Sequence, residues 1–291
     1  MFDTIRYHVR TADTLYRLIL LNVSVFAVIR LVNVVSLLFM HPWCDLQTIS
    51  QWWSVPADLG RLLFRPWTPL SYMFLHWDFM HLLMNMIWLY WFGQIFMEFL
   101  GARKLLATYL LGGFAGAFLY CLSYNTLPLF SDSMPYSTAM GASASIMAIT
   151  IATATLLPDY RISLLFIGEV RLKWVAVVIL FLDLINISSS NAGGHISHLG
   201  GALYGFVFIR MLQRGTDISA WLQRITYSAS GTAGRLRVVS RAAKSSDESY
   251  LSDQKSREQE LDRILDKIGR SGYGSLTAAE REFLTRAGNE K

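Results

Sequence analysis

The sequence predicts an all-α membrane protein: six transmembrane helices in a bundle, followed by a cytoplasmic helical C-terminal tail. Three observations carry that prediction. The 291 residues are 53% hydrophobic and 16% charged, too apolar for an ordinary soluble domain. The apolar residues lie in long blocks, several reaching the roughly 20 residues that a hydrocarbon core about 30 Å thick requires. Basic residues then gather at alternate connections between those blocks.

Residues 1–17 form a basic N-terminal segment with Arg6, Arg10 and Arg17. The first apolar block runs from Leu18 to Met40, interrupted by Arg30. It is long and lacks a small-residue cleavage site, so it reads as a retained helix and not as a signal peptide. The loop from His41 to Ser71 holds Trp43, Trp52, Trp53 and Trp67 among leucines, which suits the headgroup boundary. The further blocks are Phe79–Leu100, Leu105–Tyr124, Gly141–Pro158, Leu172–Ile187 and Ile196–Leu212. With the N-terminus inside, the inner connections carry Arg103, Lys104, Arg161, Arg171 and Lys173. The outer loops at 125–140 and 188–195 carry no Lys or Arg, and the first outer loop holds only Arg61 and Arg65.

This bias places both termini in the cytoplasm and the chain in the plasma membrane, with the lipid bilayer as its constant partner. The domains follow: a membrane domain over 18–213, a linker over 214–250 and a tail over 251–291. In the tail, Leu261, Ile264, Leu265 and Ile268 repeat at helical spacing. Ser271-Gly272-Tyr273-Gly274 ends that helix, and Thr277-Ala278-Ala279-Glu280 has the form of a capping box opening a second. Such a tail suits a cytoplasmic partner. A formal charge of +5 is explained by cytoplasmic loops and calls for no nucleic acid. Cys44 and Cys121 lie far apart; a disulfide between them has little support, and no metal spacing or cofactor motif is present.

Polar side chains at membrane depth are functional candidates, because each costs several kcal/mol unless it faces protein or water. The second block carries His81 and Asn85 on one helical face, with His76 nearer the interface. The fourth opens Gly141-Ala142-Ser143-Ala144-Ser145. At about 17 residues it spans roughly 26 Å, so its start lies below the headgroups. A helix N-terminus supplies free N–H groups for an oxyanion. The sixth opens Gly194-His195-Ile196-Ser197-His198-Leu199-Gly200-Gly201 and continues to Gly205. Gly201 and Gly205 permit close helix contact, which would bring His198 toward Ser143 if the partner is the fourth helix. A serine nucleophile needs a base, which neutral His198 supplies. An oxyanion needs donors, which His81, Asn85 and backbone amides supply. In the derived topology all of these lie on the outer side. Each cluster alone also reads as helix packing, and Asp183 in the fifth block reads as structural.

At these residues the chain resembles the rhomboid family of intramembrane serine proteases, over roughly residues 55–213. His76-x4-His81-x3-Asn85, continued by Glu98, Gly101 and Lys104, is similar to that family's second-helix signature. Gly141-Ala142-Ser143-Ala144 resembles its Gly-x-Ser-x motif, and His198-Leu199-Gly200-Gly201 with Gly205 its His-x-Gly-Gly helix. The resemblance implies a six-helix rhomboid-like bundle and a dyad of Ser143 as nucleophile and His198 as base. It selects Ser143 over Ser145 and His198 over His195. It further implies an oxyanion hole of His81, Asn85 and the Ser143 backbone N–H, with Gly141, Gly200, Gly201 and Gly205 supporting the helix packing. Substrates would be single-pass membrane proteins cut near the outer end of their helix, with no metal or cofactor. Three positions depart from the pattern: Ala144 where glycine is frequent, Met147 where some members place a tyrosine against the histidine, and Thr68 where arginine is common. Two other readings remain: a non-catalytic rhomboid-like protein that binds or delivers membrane clients, and a small permease. The clustering of polar groups toward one side counts against a permease.

Overall fold

The structure, a computed structural model, describes residues 13–39, 46–164, 168–188, 191–229, 260, 263–264, 266–268 and 273–289. The expected roles of Arg6, Arg10, Trp43, Cys44, Leu261, Leu265 and most of the 214–250 linker fall outside those residues. The chain divides into two compact units, 1–231 and 232–291.

The first unit is dominated by helices at the apolar blocks. Helix α1 (Thr14–Leu38) is capped by the Asp13 carboxylate, which accepts from the N–H groups of Leu15 and Tyr16. Short helices α2 (Leu46–Trp53), α3 (Leu59–Leu63) and α4 (Thr68–Ser71) and a two-residue strand β1 (Val55–Pro56) fill the tryptophan-rich connection. Helix α5 (Phe79–Thr126) starts at an Asp78 cap and breaks at Gly101, whose φ of 80° and ψ of 164° end one helical arm and begin the next. The two expected helices at 79–100 and 105–124 are these arms. Strand β2 (Thr138–Ala139) leads into α6 (Ser143–Leu156). A hairpin of β3 (Arg161–Leu164) and β4 (Gly168–Arg171) then leads to α7 (Leu172–Ile185), followed by α8 (Ala192–Gln213) and α9 (Ala220–Ala229).

Helix α6 is the centre. Every residue from Ala144 to Ala154 is buried, which is the pattern of a helix enclosed by others on all sides. Helix α8 lies directly against it: a methyl group at Gly201 would fall on the carbonyl oxygen of Ala144, and one at Gly205 on that of Ala148. Gly200 approaches the second arm of α5 as closely, since a Cβ there would stand 2.6 Å from the Ala115 carbonyl. The small residues therefore do what their spacing predicts, replacing side-chain bulk by backbone contact. Helices α1 and α7 are outer elements. Along α1 only Leu15, Leu18, Asn22 and Ser36 are buried, and along α7 only Leu172, Val175 and Asp183. Their outward faces are apolar: Leu20, Leu31 and Leu37 on α1, and Trp174, Val178 and Phe181 on α7. Apolar outside as well as inside is the arrangement expected of helices facing lipid. By length and hydropathy α1 and α5 suffice to cross a membrane.

Two ends of the unit are defined by contacts. At one, Lys104 lies 3.9 Å from Asp217, and the rings of Phe99 and Tyr160 are 6.3 Å apart. Asp159 also bridges to Lys173 at 2.7 Å and to Arg171 at 3.2 Å. At the other, β1 pairs antiparallel with β2 in the register Val55 to Ala139 and Pro56 to Thr138. Ala57 N–H donates to the Ser137 carbonyl (3.0 Å) and Asn125 Nδ2 to that of Ala57 (2.8 Å). Arg61 Nη1 donates to the Pro135 carbonyl (3.0 Å), and the Arg65 guanidinium lies 4.2 Å from the centre of the Trp52 ring. Thr68 is fully buried, its hydroxyl donating to the Arg65 carbonyl (2.8 Å), so Arg61 and Arg65 anchor this loop where Thr68 cannot. Cys121 is a free, buried thiol near this end.

In the second unit, α10 (Ala278–Asn289) begins with the expected capping box. The Glu280 carboxylate accepts from the Thr277 N–H (2.8 Å), while the Glu280 N–H donates to the Thr277 hydroxyl (3.4 Å). Lys267 adds an ion pair to Glu280 at 2.9 Å, and Ile264 is buried.

Candidate active site

Ser143 is the first residue of α6. The helix's first i-to-i−4 bond is made by Ile146 N–H to the Ala142 carbonyl (3.0 Å), so the N–H groups of Ser143, Ala144 and Ser145 have no intrahelical acceptor. The entry is fixed by Gly141. Its N–H donates to the Tyr72 carbonyl (2.9 Å), and its φ of 132° is one that side-chain-bearing residues rarely adopt. A Cβ at Gly141 would also stand 3.1 Å from His81 Nε2 and 3.5 Å from Ser143 Oγ, so imidazole and hydroxyl flank one small space. Ser145 points elsewhere: it is fully buried and faces Gly113 of α5.

Ser143, His198, Asn85 and Asp183 line one cavity of about 330 Å³, with Met84, Trp88 and Met147 among its apolar walls. Asn85 donates one amide hydrogen to the His81 carbonyl (2.8 Å), and its NH₂ group has a second. His76 is buried with its ring against that of His81, the centroids 5.1 Å apart. On α8, His198 Nδ1 is 2.9 Å from Asp183 Oδ1, and His195 Nδ1 is 2.8 Å from the same oxygen. Asp183 itself is only 5% exposed. When ionised, a carboxylate only accepts, so a neutral His198 facing it carries its proton on Nδ1 and leaves the Nε2 lone pair free.

A family model for the rhomboid domain matches residues 64–215, more than half of the chain. The chain belongs to the rhomboid family. Residues 244–289, in the second unit, match a family of unknown function, DUF6576. Among curated proteins, this rhomboid is 28% identical over 190 residues to the presenilin-associated rhomboid-like protein A, mitochondrial, of Danio rerio, covering 64% of this chain and 47% of that one. It is 26% identical over 151 residues to the RHOMBOID-like protein 12, mitochondrial, of Arabidopsis thaliana, covering 49% and 45%. It is also 28% identical over 140 residues to the presenilin-associated rhomboid-like protein of Bos taurus, covering 47% and 35%. The chain thus spans less than half the length of these relatives. Their names place them in mitochondria, which does not fit the plasma membrane expected from the charge bias.

The rhomboid fold brings the sequence-derived groups Ser143, His198, His81 and Asn85 to one end of the bundle, the end held by the β1–β2 pair. Asp183, which the sequence reads as structural, lines the cavity, and its Oδ1 lies against both histidines. The signal was present: a carboxylate in an apolar block, two residues before the end of α7, on the side shared by the other polar groups.

Proposed function

We propose that this rhomboid is an intramembrane serine endopeptidase that cuts single-pass membrane proteins near the outer end of their helix. The observation that carries the reading is the single cavity at the N-terminus of α6 that Ser143, His198, Asn85 and Asp183 share. In this mechanism Ser143 Oγ attacks the scissile carbonyl carbon as its proton passes to His198 Nε2. The carbonyl oxygen becomes an oxyanion, received by the Ser143 N–H, the second Asn85 amide hydrogen and the His81 ring. His198 returns the proton to the departing amine. Water then hydrolyses the acyl-enzyme by the same route in reverse. Asp183 acts as a positioning residue: it fixes the imidazole at the place where Met147 offers no aromatic ring to stack on it.

The chain crosses the bilayer six times in this reading: α1, the two arms of α5, α6, α7 and α8. Lys104, Arg161, Arg171, Lys173 and Arg214 belong to the end opposite the cavity, which supports placing that end on the inner side with both termini. The second unit then lies on the inner side, available to a partner there.

The test is cleavage of a model single-pass substrate in membranes. Ser143→Ala and His198→Ala are expected to lose at least about a thousandfold in rate, with Ser145→Ala retaining activity. If wild type cuts none of several substrates and fails to react with a serine-directed probe, a non-catalytic role in binding or delivering membrane clients takes its place.

A further inference from the structure

We infer that Asp183, His195 and His198 form a binding site for a divalent transition-metal ion, with Zn²⁺ the best match, and that filling it switches the protease off. The inhibitory half rests on the proposed role of His198; the binding half does not.

The donor set is the first argument. Two imidazoles and one carboxylate, with a fourth position open, is the composition of three-ligand zinc sites. His195 and His198 stand three apart on α8 and so project from one face, and Asp183 reaches them from α7. Both Nδ1 atoms lie within 2.9 Å of Asp183 Oδ1, and one ligand atom from each of the three residues falls within 4.8 Å of the others. Tetrahedral bonds of about 2.0–2.1 Å place ligand atoms roughly 3.3 Å apart, so the two Nδ1–Oδ1 contacts of 2.8 and 2.9 Å need to open by about half an ångström, while the whole cluster already lies within 4.8 Å.

The second argument is an unused acceptor. Among the described residues Asp183 Oδ2 is buried with no hydrogen-bond partner, although burying a carboxylate oxygen without one is costly. Oδ1 meanwhile takes both histidines. A cation drawn to the cluster gives the carboxylate a compensating charge and leaves each oxygen free to serve as ligand. Access is available, because the side chains of His195 and His198 are 21% and 19% exposed.

The consequence for catalysis follows from the imidazole. A neutral imidazole bound to metal through Nδ1 carries its single proton on Nε2. Binding therefore releases the two Nδ1 protons to solvent and moves one onto each Nε2 from water, with no net change in protonation of either ring. His198 Nε2 is then a donor, with no lone pair to take the Ser143 proton. The ion inhibits by fixing the wrong tautomer, and it leaves Ser143 itself untouched.

The experiment uses the full chain in detergent, stripped of metal with a chelator. Co²⁺ is titrated in and followed by its visible d–d absorption, and Zn²⁺ inhibition of substrate cleavage is measured in parallel, each variant against its own metal-free rate. Wild type and Ser143→Ala are expected to develop the same bands. His195→Gln and the ring-preserving His195→Phe should bind Co²⁺ at least about tenfold more weakly, since losing even an outer-shell partner costs a metal site that much. Their Zn²⁺ inhibition midpoints should rise in proportion. Absence of bands in wild type overturns the site, as do bands and midpoints that neither folded variant changes. Bands that depend on His195, in a chain that cuts no substrate when metal-free, uphold the metal site and remove the protease reading instead.

Discussion

Asp183 shows how far a single side chain can shift the reading of a site. A lone serine and histidine in helices can be packing residues. Here the Nδ1 of His198 meets a buried carboxylate, and the Ser143 hydroxyl lines the same cavity. Asp183→Asn replaces an obligate acceptor with an amide that can face His198 with its donor group. The substitution is expected to lower the cleavage rate by between about tenfold and 10⁴-fold, the upper figure being the cost of the equivalent change in a soluble serine protease. Comparison of kcat with KM decides the point: a fall in KM-independent kcat is expected, and unchanged kinetics would return Asp183 to a purely structural role. Ser143, His198, His81 and Asn85 stand out in the sequence as polar residues in apolar blocks, but so do Ser145 and His195, and the choice among them rests on the family resemblance. Asp183 was equally visible by type. Its role was not, because the pairing joins α7 to α8 across 15 residues, and only the packing of those helices sets the distance.

At the scale of elements, the six long apolar segments could be read from hydropathy, and Gly201 and Gly205 from their spacing. The β3–β4 hairpin could not: its register, Ile162 to Val170 and Ser163 to Glu169, lies between two helices in a stretch read only as a basic connection. Nor could the β1–β2 pair, whose two residues per strand carry no periodicity, although it ties the first loop to the entry of α6. The α6–α8 contact gives a sharp expectation. Gly201→Val drives a side chain into the Ala144 backbone and should destabilise the membrane unit by about 3 kcal/mol or more, with loss of activity. Leu203→Ala, at a position 60% exposed, should be tolerated; thermal unfolding in detergent distinguishes the two. In the tail, the capping-box N–H and Lys267 hold the Glu280 carboxyl down at about 2, from an ordinary 4.5. A depressed folded value means that the cap's contribution to stability is complete above about 4.5 and is lost as pH falls toward 2. NMR of the labelled Glu280 carboxyl should show this low midpoint, and a midpoint near 4.5 would disconnect the carboxylate from the cap.

For the whole molecule, the division at residues 231 and 232 separates chemistry from tail. Every group of the candidate site lies in the first unit. Truncation after about residue 250 is therefore expected to leave cleavage of a simple substrate within about twofold of the full chain, with the membrane unit still folded; such effects are small for changes remote from the site. Complete loss of cleavage in the folded truncation would make the tail a regulatory element.

Helix α6 is enclosed by protein along most of its length. Its residues from Ala144 to Ala154 are sheathed by α5, α7 and α8, while α1 and α7 carry the outward apolar faces. Changes in bilayer thickness or composition are then felt first by the sheath, as tilt or strain in its outer helices. Ser143, at the head of that helix, sits in an environment that the protein makes for itself. On the proposed function, the membrane would govern how a client arrives, while the cavity at the head of α6 would keep its own geometry.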